Sequence, residues 1–213
     1  MSKIRTAARA ALMAVLGLVA FGSVALMGGV SARAADQVPV RIDDDVQGKA
    51  DARVTIIEYA SLTCPHCADF HTNTLPLIKK QWVETGKARL IFRDFPLDGL
   101  AMGAAMIAHC APKDHYFALL SALFETQNTW ARAANPADEL KKLAKLGGIP
   151  EDKFASCVED KALAERITAG QREAQDKYGV NSTPSFLVNG KLITGAKSFD
   201  EFDAILKEAA GSK

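Results

Sequence analysis

The sequence lacks an excess of charge of either sign and has little cysteine. Lysine and arginine total 26, and aspartate and glutamate total 25, in 213 residues. The chain therefore lacks the strongly basic character that is typical of nucleic-acid binding. Four cysteines are too few for a small disulfide-stapled scaffold. Apolar residues at 48% and charged residues at 24% are ordinary globular proportions, which argues against disordered, collagen-like and coiled-coil classes.

Acidic residues are absent from residues 1–34, which contain four basic ones. An uncharged, largely apolar stretch runs from Ala10 to Val30, and small residues follow at Ala32 and Ala34. This pattern predicts a secretory signal peptide cleaved after Ala34, and therefore an exported, periplasmic protein whose thiols can stay oxidised. The alternative is an uncleaved membrane anchor, because the uncharged stretch is 21 residues long, enough to span a bilayer. We expect no other membrane span.

Beyond the signal peptide, the hydrophobic pattern predicts a strand–helix–strand unit after a short extension. Residues 35–52 are polar and mixed, with one expected edge strand at 38–42. Residues 53–60 form a β-branched run that is typical of a buried strand, and residues 87–95 predict a second strand. The helix between them contains Pro76, which we expect to kink it. This order of elements implies parallel strands.

The rest of the chain divides into a helical block and a second strand-containing part. Residues 97–178 contain no convincing strand and predict several helices. Residues 179–213 predict two short strands around Asn189-Gly190, a strong hairpin signal, and a final helix opened by the capping box Ser198–Glu201. Residues 53–96 and 179–213 each hold only part of a sheet. We therefore expect one α/β fold in which the helical block is an insertion.

The candidate chemistry lies in Cys64-Pro65-His66-Cys67, directly after the first strand and at the start of a helix. Two cysteines separated by two residues let one backbone turn close a disulfide, which is typical of a redox-active pair. The free N–H groups and positive dipole of a helix N-terminus favour a thiolate, so we expect the Cys64 pKa to fall. His66 adds a donor or a positive charge near that sulfur, and Pro65 suits the first turn because its missing N–H has no partner there. A stabilised thiolate makes the disulfide oxidising.

We expect Cys64 to be the exposed nucleophile and Cys67, one turn into the helix, to be the buried resolving thiol. One alternative is half of a zinc site, but zinc takes about four ligands. The nearest further candidates are His66 and His71, which we otherwise take as a structural residue, and the chain has no second C-x-x-C. The other alternative is a purely structural disulfide. We predict no metal and no bound cofactor.

A ten-residue segment resembles the active-site strand and helix of DsbA-type thiol:disulfide oxidoreductases. It reads Glu58-Tyr59-Ala60-Ser61-Leu62-Thr63-Cys64-Pro65-His66-Cys67, and Pro-His between the cysteines is typical of that family. The resemblance covers nearly all of residues 37–213. It implies a thioredoxin fold, in the order β-α-β and then β-β-α, with an inserted helical domain.

The same resemblance implies roles for residues outside the motif. In similar proteins the bond matching Thr183-Pro184 is cis, the proline packs against the cysteine pair, and the residue at Thr183 faces the sulfurs. An acidic residue at the place of Glu58 lies buried beneath the second cysteine and relays a proton to it. The residues alone favour an ordinary trans proline that starts an edge strand at Pro184, and they are equally consistent with a surface-facing strand residue at Glu58.

Two cysteines remain if the motif cysteines pair with each other. Cys110 and Cys157 both lie in the predicted helical block of an exported chain, and we expect a structural disulfide between them. Not every DsbA-like protein has such a bridge, and the alternatives are buried free thiols or a redox-responsive pair. His109 and His115 lie near Cys110, where we interpret them as ordinary helix residues rather than metal ligands.

The resemblance implies an enzyme, a protein disulfide oxidoreductase that donates the Cys64–Cys67 disulfide through a mixed disulfide at Cys64. Its substrates would be unfolded exported polypeptides with free thiols, and its reoxidising partner a DsbB-like membrane quinone reductase. Residues 35–52 are too few for the dimerisation domain of DsbC-like isomerases, which favours a monomer and net oxidation. A reductase or isomerase of the same fold is one alternative. A copper-binding chaperone is another, but Met102 and Met106 fall in the helical block rather than near the motif.

Overall fold

The structure, a computed structural model, describes residues 38–211. The predicted signal peptide, residues 1–34, lies outside this part of the chain. The described residues form one five-stranded sheet with helices packed on it. The strands are β1 (Val46–Gln47), β2 (Val54–Ala60), β3 (Ala88–Asp94), β4 (Ser185–Val188) and β5 (Lys191–Thr194). Between residues 38 and 211, no helix has the length and apolar character needed to cross a bilayer.

The strand order in the sheet is β1-β3-β2-β4-β5. Strands β2 and β3 run parallel, which confirms the predicted strand–helix–strand unit, and β4 pairs antiparallel with both β2 and β5. The predicted hairpin turn joins β4 to β5, and its Asn189 and Gly190 adopt positive φ angles of 47° and 89°. The Asn189 side chain accepts a 2.8 Å hydrogen bond from the Thr55 N–H, which ties the hairpin to β2.

The described residues contain nine α-helical segments. They are α1 (Pro65–Asp69), α2 (Leu75–Ile78), α3 (Gly99–Cys110), α4 (Tyr116–Glu125), α5 (Gln127–Trp130), α6 (Pro136–Leu146), α7 (Phe154–Val158), α8 (Lys161–Tyr178) and α9 (Phe199–Gly211). Helix α9 opens with the predicted capping box, in which the Ser198 N–H donates to the Glu201 carboxylate at 3.0 Å.

The long helix after the cysteine motif is interrupted. A π-helical turn, Phe70–Thr74, separates α1 from α2, and a second one, Lys79–Val83, follows α2. Pro76 lies in the first turn of α2. Because proline has no N–H and its ring clashes with the carbonyl four residues earlier, regular α-helical bonding cannot continue through it. The irregularity therefore lies where the sequence predicts a kink.

Strand β2 lies at the centre of two apolar layers, and all seven of its residues are buried. On one face, Ile56 packs with Phe70 of the π-helical turn that follows α1 and with Phe202 of α9. On the other face, Ile57 packs with Ala174 of α8. Alternate side chains of a strand point to opposite faces, so β2 contributes to both layers. Its carboxyl end, where the cysteine motif follows, is fixed from both sides.

A third apolar cluster lies within the helical segments α3 to α8 and includes Phe124 and Trp130. Leu62, Cys64 and Cys67 belong to the same cluster. The cysteine motif therefore lies at the junction between the sheet and the helical block. The division of the chain at residues 97 and 178 stays a prediction, and the Ala174 part of α8 packs on the sheet rather than with this cluster.

The prediction of an edge strand at residues 38–42 is wrong. The strand at the edge next to β3 is β1, which pairs antiparallel with β3. The segment before β1 is held by side chains instead: Arg93 donates two hydrogen bonds to the Asp44 carboxylate, at 3.0 and 2.8 Å, and one to the Pro39 carbonyl at 2.8 Å. This buried bidentate ion pair, together with the bond to the Pro39 carbonyl, holds the segment against β3.

A disulfide joins Cys110 at the end of α3 to Cys157 in α7, with the two Cα atoms 6.0 Å apart. It closes a loop of 47 residues within the helical block. Such a cross-link restricts the unfolded chain and thereby stabilises the folded one.

We predict that replacing Cys110 and Cys157 together with alanine lowers the free energy of unfolding by about 4 kcal/mol, the chain-entropy value for a loop of this length. Urea unfolding of the protein and the double variant measures this difference. The spectrum of the folded variant should be unchanged. Equal unfolding midpoints would contradict a stabilising role for this bridge.

Candidate active site

The cysteine motif begins directly after the short loop that follows β2. Cys64 is the N-cap of α1, and its carbonyl oxygen accepts the first helical hydrogen bonds, from the Cys67 N–H at 3.1 Å and the Ala68 N–H at 3.2 Å. Pro65 occupies the first helical position, where no N–H partner is needed. The N–H groups of the first turn therefore lie around the Cys64 side chain.

Both motif cysteines are free thiols in this structure. The Cys64 residue is 6% exposed and Cys67 is fully buried. Cys64 is thus the more accessible of the two, as expected, but it is not the openly exposed residue that the sequence predicts. The chain segment that ends at Pro184 lies against it, and the Cys64 thiol donates a 3.5 Å hydrogen bond to the Thr183 carbonyl.

The hydrogen bonds around Cys64 lower the pKa of its thiol to about 5. The largest cause is a hydrogen bond from the Cys67 thiol. Burial acts in the opposite direction, and the Thr183 side chain and the backbone N–H groups of Cys67 and His66 lower the pKa further. Each of these donors stabilises the anion more than the neutral thiol. At neutral pH, Cys64 is therefore a thiolate when the pair is reduced.

Cys67 has the opposite character. Burial raises the pKa of its thiol well above the ordinary value, and the hydrogen bond to Cys64 and the nearby Glu58 carboxylate raise it further. The proton of the reduced pair therefore stays on Cys67. Because the two pKa values are shifted in opposite directions, the Cys64 sulfur is an anion and the Cys67 thiol donates a hydrogen bond to it.

The His66 side chain is exposed on the first turn of α1. Its contribution to the Cys64 pKa comes from its backbone N–H. Of the two effects expected of His66, a hydrogen-bond donor or a positive charge near the sulfur, the structure contains the donor. The backbone supplies it for a simple geometric reason, because the N–H groups at a helix start point along the axis toward the N-cap, whereas the side chains point outward.

The Thr183-Pro184 peptide bond is cis, and Pro184 is buried at the start of β4 beside the motif. Within the described part of the chain, the buried Thr183 hydroxyl oxygen has no hydrogen-bond partner. A thiolate only accepts hydrogen bonds, so ionised Cys64 would give this hydroxyl an acceptor. Thr183 thus faces the sulfur with both its carbonyl and its hydroxyl.

Glu58 is fully buried in β2, and both of its carboxylate oxygens lie 3.0 Å from Nε2 of His71. The His71 ring stacks on Phe124 of the helical block, with the ring centres 3.9 Å apart. Glu58 is therefore not the surface-facing strand residue that the sequence alone also allowed. His71, expected as a structural residue, is thus the direct partner of Glu58. Its spacing, four residues after Cys67 on the same helical face, could have indicated that it lies behind the motif.

Two further contacts hold the loop before the motif and were not predicted. The Thr63 hydroxyl donates to the Asp98 carboxylate at 2.7 Å. The buried Gln127 side chain donates to the carbonyl oxygens of Leu62 and Cys64, at 2.8 and 3.0 Å. Asp98 and Gln127 belong to distant parts of the chain, and no local sequence pattern marks them.

The remaining histidines lie away from the motif. His109 contacts the Asp94 carboxylate at 2.6 Å, and His115 contacts the Gly147 carbonyl at 3.2 Å. Among residues 38–211, no group of three or more histidine, cysteine, aspartate or glutamate side chains is arranged to hold a metal ion.

Comparison with known proteins agrees with this geometry. The sequence model of the thioredoxin family matches residues 41–208. The chain is 31% identical to alpha-DsbA1 of Wolbachia pipientis, whose crystal structure superposes with a TM-score of 0.74 over 82% of this chain and 94% of that one. The chain therefore belongs to the thioredoxin family. Within that family it belongs to the DsbA-type thiol:disulfide oxidoreductases, and it has their thioredoxin fold with inserted helices.

Two further relatives extend the comparison. A Rickettsia felis protein named "Putative protein-disulfide oxidoreductase" is 29% identical over 81% of this chain, and the aligned part spans 63% of that longer protein. BdbD from Bacillus subtilis, at 23% identity, has the same fold, with a TM-score of 0.73 over 83% of this chain and 98% of that one.

We predict that the Cys64 thiol of the reduced protein titrates near pH 5. Its rate of alkylation by iodoacetamide should be constant above pH 6 and fall below pH 5, as the thiolate becomes protonated. A cysteine free in solution would lose reactivity below about pH 8.5. Replacing Cys67 with alanine removes the largest stabilising contact, so the midpoint should move upward. A midpoint near 8.5 in the unsubstituted protein would disprove the proposed electrostatics.

Replacing Thr183 with valine keeps the shape of the side chain and removes its hydroxyl. We predict a smaller upward shift of the Cys64 pKa than in the Cys67→Ala variant, because Thr183 is a weaker contributor. The same alkylation titration measures it, and thermal unfolding serves as the control for folding. An unchanged midpoint in a folded variant would show that the hydroxyl does not act on the sulfur.

Proposed function

We propose that this protein is an exported oxidase of protein thiols, which donates its Cys64–Cys67 disulfide to newly exported polypeptides. The observation that carries this proposal is the contrast between the two sulfurs. Cys64 forms a stable anion and Cys67 keeps its proton. A pair whose reduced form is stabilised in this way takes up electrons readily, so its disulfide is oxidising.

In the first step, a substrate thiolate attacks the sulfur of Cys64 in the oxidised protein. The attack falls on Cys64 because Cys67 is completely buried. The bond between Cys64 and Cys67 breaks, a mixed disulfide forms between the substrate and Cys64, and Cys67 leaves with the electron pair. Cys67 then takes up a proton, because its buried environment disfavours the anion.

In the second step, another substrate thiolate attacks the substrate sulfur of the mixed disulfide. The Cys64 thiolate is the leaving group, and a thiol of low pKa leaves quickly. The substrate is released with a disulfide, and the protein is left with a thiolate at Cys64 and a thiol at Cys67. Two electrons have passed from the substrate to the protein. The low Cys64 pKa favours this direction over disulfide reduction.

Glu58 has the role of proton relay to Cys67 in this proposal, and His71 is its partner. Glu58 is completely buried, whereas the His71 side chain is 4% exposed. His71 therefore extends the relay one residue beyond Glu58, within the interior of the protein. Both side chains are held rigidly, Glu58 by β2 and His71 by its stacking on Phe124.

Pro184 and Thr183 have the role of substrate-binding residues. Proline has no N–H, and the chain before it runs past the Cys64 sulfur. An extended substrate segment can pair with backbone groups there while its cysteine reaches Cys64. Because this contact involves the backbone, it is suited to unfolded polypeptides of varied sequence.

The cellular setting belongs to the same proposal. The basic and apolar pattern of residues 1–34 favours export to the periplasm, where the protein would act as a monomer. A DsbB-like membrane quinone reductase would accept the two electrons and restore the Cys64–Cys67 disulfide. The protein's own reaction requires no bound cofactor, since the electrons move between sulfur atoms.

The test is oxidation of a reduced, unfolded model protein by a stoichiometric amount of the oxidised enzyme. We expect rapid formation of substrate disulfides, measured by loss of free thiols, and stoichiometric appearance of reduced Cys64 and Cys67. The Cys64→Ser variant should have no exchange activity. The Cys110→Ala/Cys157→Ala double variant is the matched control, and it should remain active while it is folded.

A protein that reduces disulfides of the model substrate but does not form them would overturn this proposal in favour of a reductase. Activity retained by the Cys64→Ser variant would remove Cys64 from the mechanism.

A further inference from the structure

Gln127 is a buried amide side chain that points at the active-site loop from another part of the fold. It begins helix α5, is 4% exposed, and lies 63 residues after Cys64 in the sequence. Its Nε2 donates one hydrogen bond to the Leu62 carbonyl at 2.8 Å and a second to the Cys64 carbonyl at 3.0 Å. Both hydrogens of one amide group are therefore used on the same short loop.

The two carbonyl groups are those that define how the chain enters α1. The Cys64 oxygen is the first acceptor of the helix, bonded also to the N–H groups of Cys67 and Ala68. Leu62 is 1% exposed, so its oxygen has little access to water. By bridging these oxygens, Gln127 fixes the orientation of the Leu62–Thr63 and Cys64–Pro65 peptide groups.

The helical block holds Gln127 in place. Three residues further along α5, the fully buried Trp130 donates from its indole N–H to the Leu123 carbonyl at 2.7 Å. Thr126, immediately before α5, donates to the Ala122 carbonyl at 2.6 Å. The amide is thus anchored to α4 and α5 rather than to the sheet, and its position follows that of the helical block.

We propose that Gln127 is a positioning residue for Cys64, through which the helical block holds the first turn of α1 in the geometry that stabilises the thiolate. The N–H groups that surround the Cys64 sulfur belong to Cys67 and His66, and their directions depend on the start of that helix. Without the amide, the Leu62 carbonyl is buried with no donor, and the loop relaxes to satisfy it. That movement turns the N-cap away from its donors.

This inference rests on the proposed function only in taking Cys64 as the reacting sulfur. The test is the pH titration of Cys64 in the reduced full-length protein, which needs no substrate and does not depend on the direction of exchange. Failure of this inference is therefore distinguishable from failure of the proposed function.

Two variants remove the donor without shortening the side chain. Gln127→Met keeps the length and has no polar hydrogen, and Gln127→Glu keeps the shape and replaces the donor with an acceptor. We expect both to raise the Cys64 pKa, by about half a unit to one unit, which is the shift that corresponds to one ordinary hydrogen bond. Alkylation measured at the original midpoint should slow about threefold.

Two controls separate positioning from loss of stability. Asn128→Ala changes an exposed neighbour on the same helix and should leave the titration unchanged. Phe154→Ala removes a buried side chain of α7 and destabilises the helical block without touching the Gln127 bonds. It should lower the melting temperature and leave the Cys64 pKa where it is.

A midpoint unchanged by Gln127→Met, or by Gln127→Glu if the methionine variant does not fold, would overturn the proposal. An equal rise of the Cys64 pKa in the Phe154→Ala variant would also overturn it, because the shift would then result from destabilisation of the whole helical block.

Discussion

The stabilisation of an anionic sulfur at the start of one helix is the interaction on which the rest of this structure depends. A thiol and backbone N–H groups converge on Cys64, and they outweigh the cost of its partial burial. The neighbouring sulfur of Cys67 lies one turn deeper, where burial opposes ionisation. Two chemically identical side chains thus acquire opposite character from a displacement of a single helical turn.

Three distant parts of the chain create this environment. The sheet supplies rigid support, because β2 is buried on both faces and ends directly before the motif. The segment before β4 brings Thr183 against the sulfur. The helical block supplies Gln127 and the Phe124 ring that holds His71 beside Glu58. The inserted helices of this fold therefore make direct contacts with the active-site loop and with the partner of Glu58.

Local patterns predict much of this fold. The β-branched run of β2, the Asn189-Gly190 turn and the capping box at Ser198 each depend on residues close together in sequence, and each forms as predicted. The cysteine motif likewise contains its chemistry within four residues. Side-chain contacts across the fold are different. The Arg93–Asp44 ion pair, found in the region where the sequence predicts an edge strand, joins residues whose proximity no local pattern reveals. The Gln127 bonds are unpredictable for the same reason, whereas the spacing of His71 after Cys67 indicates its place behind the motif.

If the Cys64–Cys67 disulfide is an oxidant, its redox equilibrium with glutathione must lie far toward the reduced pair. The protein is equilibrated with buffers of varied glutathione ratio, and the reduced fraction is read after the thiols have been trapped. We expect the pair to be mostly reduced even in buffers that contain little reduced glutathione. A pair that stays oxidised until reduced glutathione is in large excess would contradict it.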